Sequence, residues 1–112
     1  MSDPAILAPE ARAELVRAVR RMAKENAFAA RGFRQAVGEA ARLIGAHPDA
    51  GRIDLRLAPS HYRFWSLTRF HYVLVYEASE RPPRIAHVLH TARDLAPLLS
   101  ELWCDDEAAR DH

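Results

Sequence analysis

The sequence has one cysteine, one lysine and no long apolar segment. The single Cys104 excludes an internal disulfide, and no Cys/His spacing resembles a zinc site. No uncharged apolar run approaches the roughly 20 residues of a transmembrane helix. The N-terminal stretch MSDPAILAPEAR also lacks the basic and long apolar regions of a signal peptide. We therefore expect a cytoplasmic protein with no metal, cofactor or membrane partner.

Positive charge comes almost entirely from arginine, since Lys24 is the only lysine among 16 basic residues. The net charge is +1, but five of the 15 acids fall within residues 101–112, which hold one base. The remaining 15 basic and 10 acidic residues give the rest of the chain a charge of +5. Arginine pairs with carboxylates and phosphates alike. Charge alone therefore leaves an acidic protein segment, nucleic acid and a plain solvated surface as alternatives.

The first half of the chain has helical periodicity. PEARAELVRAVRRMAKEN places small and apolar residues at helical spacing and predicts a helix over about 9–25. A second helix is predicted over about 27–46, ending at HPDAG, where Pro48 and Gly51 interrupt the chain. Two helices with almost no linker must form a hairpin. Residues 5–7, between two prolines, are long enough only for a short edge strand.

The second half changes to short segments rich in β-branched and aromatic residues, RIDLRL, YRFWSL, HYVLVYEA and RIAHVLH. These predict strands at about 52–57, 62–68, 71–77 and 84–90. A short C-terminal helix should follow, with Asp94 as its N-cap. The predicted fold is α+β, an N-terminal helical hairpin on a mainly antiparallel sheet in the order β-α-α-β-β-β-β, then that helix. We expect one domain over 1–112, with 103–112 as an acidic tail for which disorder is one alternative.

This order and these motifs resemble the RelE/ParE superfamily of toxins from bacterial type II toxin-antitoxin systems, and its ParE branch most. The resemblance covers nearly all of residues 4–102. It is carried by PEARAELVRAV in the first helix, AHPDAG after the second, HYRF before HYVLVYEA, and the closing VLHTARDL. The resemblance to ParE implies a role in plasmid stabilisation. It also implies a toxin that binds DNA gyrase, traps the enzyme on cleaved DNA and so blocks replication. Such toxins need a binding surface rather than catalytic groups.

The RelE-like branch implies a different activity, a ribosome-dependent endoribonuclease acting on messenger RNA. Such chemistry needs a base, an acid and cations that converge on one phosphate. The candidate residues are Arg63, Arg69, His71, His87, His90 and Arg93, with Tyr72 and Tyr76 as phenols. For a nuclease the set would be Arg63, His90 and Arg93. Strand alternation separates the candidates between two faces, and the multi-lysine cluster of such nucleases is missing. His90 has an alternative role as a hydrogen-bonded residue at the end of a strand.

The binding hypothesis requires two surfaces. The resemblance implies a ParD-like antitoxin, which wraps the toxin and alone contacts operator DNA. An aromatic and arginine surface of Tyr62, Arg63, Phe64 and Trp65 would suit an acidic amphipathic segment of it. The target-binding candidates are Arg17, Arg20, Arg21, Lys24 and Trp103. The basic residues have a structural alternative as a solvated helix face, and Trp103 has one as a ring that covers the end of the core. A non-toxic interaction domain with the same fold remains a further alternative.

Overall fold

The computed structural model describes residues 3–94. The elements follow in the order β1 (Ile6–Leu7), α1 (Pro9–Glu25), α2 (Ala27–Ala46), a 3-10 turn (Pro48–Ala50), β2 (Tyr62–Leu67), a second 3-10 turn (Thr68–Phe70), β3 (Tyr72–Glu77) and β4 (Arg84–His90). The predicted α+β architecture is confirmed. Both helices and the last three strands begin and end within about one residue of the predicted positions.

The helical hairpin turns at a single residue, Asn26. Its backbone N–H donates to the Met22 carbonyl and ends α1, while its side-chain oxygen accepts from the Ala29 N–H and caps α2. The extended backbone of Asn26 (φ −160°) breaks the helix between these two bonds. A residue that serves both helix ends leaves no linker, so α1 and α2 pack side by side.

The strands form one mixed sheet in the order β1-β4-β3-β2. β2, β3 and β4 make an antiparallel meander, in which Tyr76 lies opposite Arg63 and Tyr72 lies opposite His90. β1 pairs with β4 in the parallel direction. A register shift next to Val75 marks a bulge between β3 and β4. β3 therefore lies centrally with every residue from Tyr72 to Tyr76 buried, as its apolar sequence predicts.

The core has two parts, one on each face of the sheet. On the helix side, Phe33 of α2 packs against Tyr72 with ring centroids 4.8 Å apart, within a cluster that includes Val37, Ile44 and Ile85. On the opposite face a smaller cluster is formed by Phe64, Val73, Val75, Leu89 and Ala58. The sheet is thus buried on both faces near its centre.

Residues 52–57, predicted as a strand, form a turn instead. Only Arg52 makes a bridge to β2, through two backbone hydrogen bonds with Phe64. The Asp54 carboxylate accepts hydrogen bonds from both the backbone N–H and the guanidinium of Arg56, which lowers the pKa of Asp54. An aspartate that binds its own neighbouring backbone competes with a strand ladder. The prediction of a strand here is therefore wrong. The predicted C-terminal helix lies outside the described residues.

Candidate functional site

The basic residues predicted to bind a target lie on one exposed face of α1. Arg17, Arg20, Arg21 and Lys24 are all exposed, and their spacing of three and four residues keeps them on neighbouring turns. The opposite face of the helix buries Ala11 and Ala18 against the sheet. The structure therefore gathers four of the five predicted target-binding residues into one basic stripe. Trp103, the fifth, lies outside the described residues.

The four residues predicted to bind an antitoxin do not share one surface. Side chains alternate along β2, so Phe64 is buried in the cluster on the face away from the helices, with only 1% of its surface exposed. Tyr62 packs against that same cluster. Trp65 packs against the helix-side core instead. A partner on this edge strand would reach only the half-buried side chains and the backbone.

Arg63 acts with Tyr76 on the turn that follows α2. The guanidinium donates to the carbonyls of Asp49 (3.1 Å) and Gly51 (2.8 Å), and its other nitrogen lies 3.6 Å from the Asp49 carboxylate. The Tyr76 hydroxyl donates to the Pro48 carbonyl (2.6 Å) and accepts from the Gly51 N–H (2.8 Å). Burial raises the pKa of Tyr76, so it is a neutral phenol at pH 7. The Arg63 guanidinium and the Tyr76 hydroxyl are therefore both hydrogen-bonded to the backbone of this turn.

Gly51 is required by this arrangement. A Cβ placed there would lie 2.6 Å from the Tyr76 hydroxyl oxygen and 3.0 Å from the Phe64 carbonyl oxygen. Contacts that short with backbone and with a buried ring cannot be relieved by a small rotation. The motif AHPDAG is therefore explained as the turn that closes over the end of β3.

His90 is engaged at the other end of the sheet. Its Nδ1 accepts hydrogen bonds from the N–H groups of Ala92 and Arg93, each at 3.2 Å, so the proton of the neutral ring lies on Nε2. Its own N–H donates to the Asp94 carboxylate (3.1 Å). Partial desolvation and the charge of Arg93 lower the pKa of His90. In this neutral form Nδ1 already accepts two backbone N–H groups and Nε2 carries the proton, so neither nitrogen directs a lone pair at a substrate.

The three residues that a nuclease would need do not converge. Arg63 pairs with Tyr76 and His90 pairs with Tyr72, and four residues of strand separate the two tyrosines by about 13 Å. Arg93 follows His90 and lies at the His90 end. The described residues therefore hold Arg63 and His90 at opposite ends of β3, each with a role in closing a turn.

Glu14, the partner of His87, is a structural residue that the sequence interpretation missed. The Glu14 carboxylate of α1 lies 3.3 Å from His87 Nδ1 and accepts the Val88 N–H at 2.9 Å. β1 is only two residues long, and Glu14 satisfies the edge of β4 beyond it. The available signal was an acid between Ala11 and Ala18, on the stripe of α1 that faces the core, because buried acids need partners.

The fold and the site together define a class. A helical hairpin packed on a four-stranded mixed sheet, with basic residues exposed on α1 and with Arg63, Tyr76 and His90 bound to backbone, is the arrangement expected of a RelE/ParE-type toxin. Residues 5–95 match the family model described as ParE toxin of type II toxin-antitoxin system, parDE. The chain therefore belongs to the ParE toxin family, a type II toxin family of the RelE/ParE superfamily. No curated protein matches the chain. Among the described residues, no helix is long and apolar enough to span a membrane.

Proposed function

We propose that this toxin acts in the cytoplasm by binding DNA gyrase, so that replication is blocked, and that a ParD-like antitoxin neutralises it. Membership of the ParE family supports the target class. We favour binding over RNA cleavage because the side chains that a nuclease would use are already hydrogen-bonded to the backbone. Arg63 and Tyr76 hold one turn, and His90 caps another as an Nδ1 acceptor.

The basic stripe of α1, residues Arg17, Arg20, Arg21 and Lys24, is the proposed target-binding surface. Its side chains are exposed, and no acid lies among them between positions 17 and 24. A block of positive charge that projects from a helix packed on the sheet is a rigid surface, which favours association with an acidic protein face or a DNA backbone. Gyrase bound to DNA offers a DNA backbone.

Charge removal on this surface tests the proposal. We expect the wild-type chain to inhibit supercoiling by purified gyrase and to accumulate cleaved DNA. Replacing Arg17, Arg20 and Arg21 by glutamine should weaken that inhibition by about three- to tenfold, since each exposed charge contributes about 0.2–0.5 kcal/mol to association. A matched control replaces Arg31, Arg34 and Arg42, which are exposed on α2, and should inhibit like wild type.

A parallel assay of messenger RNA cleavage on ribosomes separates the alternatives. Cleavage by the wild-type chain, lost in His90→Ala or Arg63→Ala, would contradict the gyrase proposal and favour a nuclease. If neither gyrase inhibition nor RNA cleavage is found, and expression does not arrest growth, the chain would be a non-toxic interaction domain. Equal gyrase inhibition by both arginine triple variants would contradict the assignment of the surface to α1.

A further inference from the structure

A small pocket of about 180 Å³ lies between α1 and the end of the sheet at which β3 begins and β4 ends. Arg17 and Arg21 line it from the helix, and Tyr72 lines it from the sheet. Pockets that enclose drug-sized ligands measure about 300–1,000 Å³. This pocket is therefore suited to one small group of a larger ligand.

The two arginines of the pocket have no partners among the residues that the structure describes. Arg17 and Arg21 are exposed and lie one helical turn apart, and within residues 3–94 neither guanidinium makes a hydrogen bond or an ion pair. The charge of Arg21 reaches His90, whose pKa is lowered by burial, by Arg93 and also by Arg21. Unpaired positive charge beside a small pocket attracts an anion.

The two acids in the lining are already bound to the backbone. The Glu14 carboxylate accepts the Val88 N–H (2.9 Å), and the Asp94 carboxylate accepts the His90 N–H (3.1 Å). Among residues 3–94, neither acid lies within ion-pair distance of an arginine of the pocket. The acids therefore hold the end of β4, and the guanidinium groups keep their donors for a ligand.

Tyr72 adds an unused donor on the sheet side of the pocket. The residue is only 4% exposed, and its ring packs against Phe33 and His90. Its hydroxyl makes no hydrogen bond to any residue of the described range 3–94. Buried phenols usually have a partner, and Tyr76 on the same strand has two. A buried hydroxyl without a partner, beside two guanidinium groups, indicates a ligand that accepts hydrogen bonds.

We propose that this pocket binds a phosphate group of DNA through the guanidinium groups of Arg17 and Arg21 and the hydroxyl of Tyr72. A phosphate is tetrahedral and offers oxygens to donors on different sides of the pocket, whereas a carboxylate offers two oxygens in one plane. The inference rests on the proposed function, which supplies DNA held by gyrase. It assigns this part of the basic stripe to the DNA backbone rather than to an acidic protein face.

NMR titrations of the full-length chain test the inference, with inorganic phosphate, acetate and a short DNA duplex as separate probes. The ionic strength is held constant so that general screening does not change. The pocket variants are Arg21→Gln and Tyr72→Phe. Arg20→Gln is the matched control, because it removes the same charge from the same exposed stripe at a position that does not line the pocket. Inhibition of gyrase is measured separately for each variant.

We expect phosphate and the DNA duplex to shift the amide signals of Ala18, Tyr72 and Val88 saturably, and acetate to bind clearly more weakly. Arg21→Gln and Tyr72→Phe should each weaken phosphate binding about tenfold, since a hydrogen bond to a charged group contributes on that scale. Arg20→Gln should bind phosphate like wild type. Tyr72→Phe should melt within a few degrees of wild type, because residues 3–94 do not use its hydroxyl.

Four results of the titrations would overturn the inference. Absence of saturable shifts with phosphate would show that the pocket takes no anion. Acetate that binds as tightly as phosphate would assign the pocket to a protein carboxylate. Equal losses in Arg20→Gln and Arg21→Gln would show an effect of diffuse charge rather than a site. Binding of inorganic phosphate without binding of DNA would make free phosphate or a small phosphorylated molecule the ligand.

The gyrase assay separates failure of this site from failure of the proposed function. Weaker inhibition by both pocket variants would support the inference. Inhibition that stays at the wild-type level in variants that have lost phosphate binding would show that DNA held by gyrase does not use the pocket. A wild-type chain that binds DNA through the pocket but leaves gyrase active would contradict the proposed function and still support the phosphate site.

Discussion

Removing one hydroxyl group should reveal how strongly the turn after α2 depends on the sheet. In Tyr76→Phe the ring remains in the core, but the Gly51 N–H loses its acceptor and the Pro48 carbonyl loses its donor. Gly51 is buried, and an unsatisfied buried N–H costs about 1–3 kcal/mol. The carbonyl is less buried and adds less. We expect the free energy of unfolding to fall by about 2–4 kcal/mol, which for a chain of this size lowers the melting temperature by roughly 8–16 °C.

The control is Tyr72→Phe on the same strand and the same face. The Tyr72 ring packs against Phe33 and His90, and within residues 3–94 its hydroxyl makes no hydrogen bond. This variant should lose less than about 1 kcal/mol. Urea unfolding of both variants, followed by circular dichroism, measures the difference directly. Equal stabilities of the two variants would refute the assignment of Tyr76 as the group that holds the turn.

pH provides a second measure of the same bond. Because burial raises the pKa of Tyr76 in the folded chain, its contribution is complete below the unfolded value near 10 and is lost as pH rises toward the folded pKa. The stability difference between wild type and Tyr76→Phe should therefore shrink above pH 10. A difference that stays constant from pH 8 to pH 11 would contradict this linkage.

Two further predictions concern the edge of β4 and its end. Glu14→Ala should lower the free energy of unfolding by about 1–3 kcal/mol because it leaves the Val88 N–H without an acceptor. Glu14→Gln keeps an oxygen there and should lose clearly less stability. Equal losses in urea unfolding would count against this role of Glu14. The pKa of His90 is lowered in the fold, so the wild-type chain should lose stability as pH falls below about 6.5. His90→Asn keeps an acceptor without a titratable group and should show a flatter pH profile between 5 and 7, and an unchanged profile would contradict the assignment.

The sequence predicts the helices and the three long strands because the buried face of each element requires apolar residues at a regular spacing. α1 and α2 repeat small and apolar residues every three to four positions, and β3 is apolar throughout because it lies between two strands under the helices. RIDLRL has an equally good alternation, yet it forms a turn. Its Asp54 finds a partner two residues away in Arg56, and a local contact of this kind competes successfully with a strand that has only one neighbour to pair with.

Candidate site residues are harder to predict, because their partners are backbone atoms from distant parts of the chain. Arg63 and Tyr76 were recognised by residue type, but nothing in their own segments indicates the carbonyls of residues 48–51 that they bind.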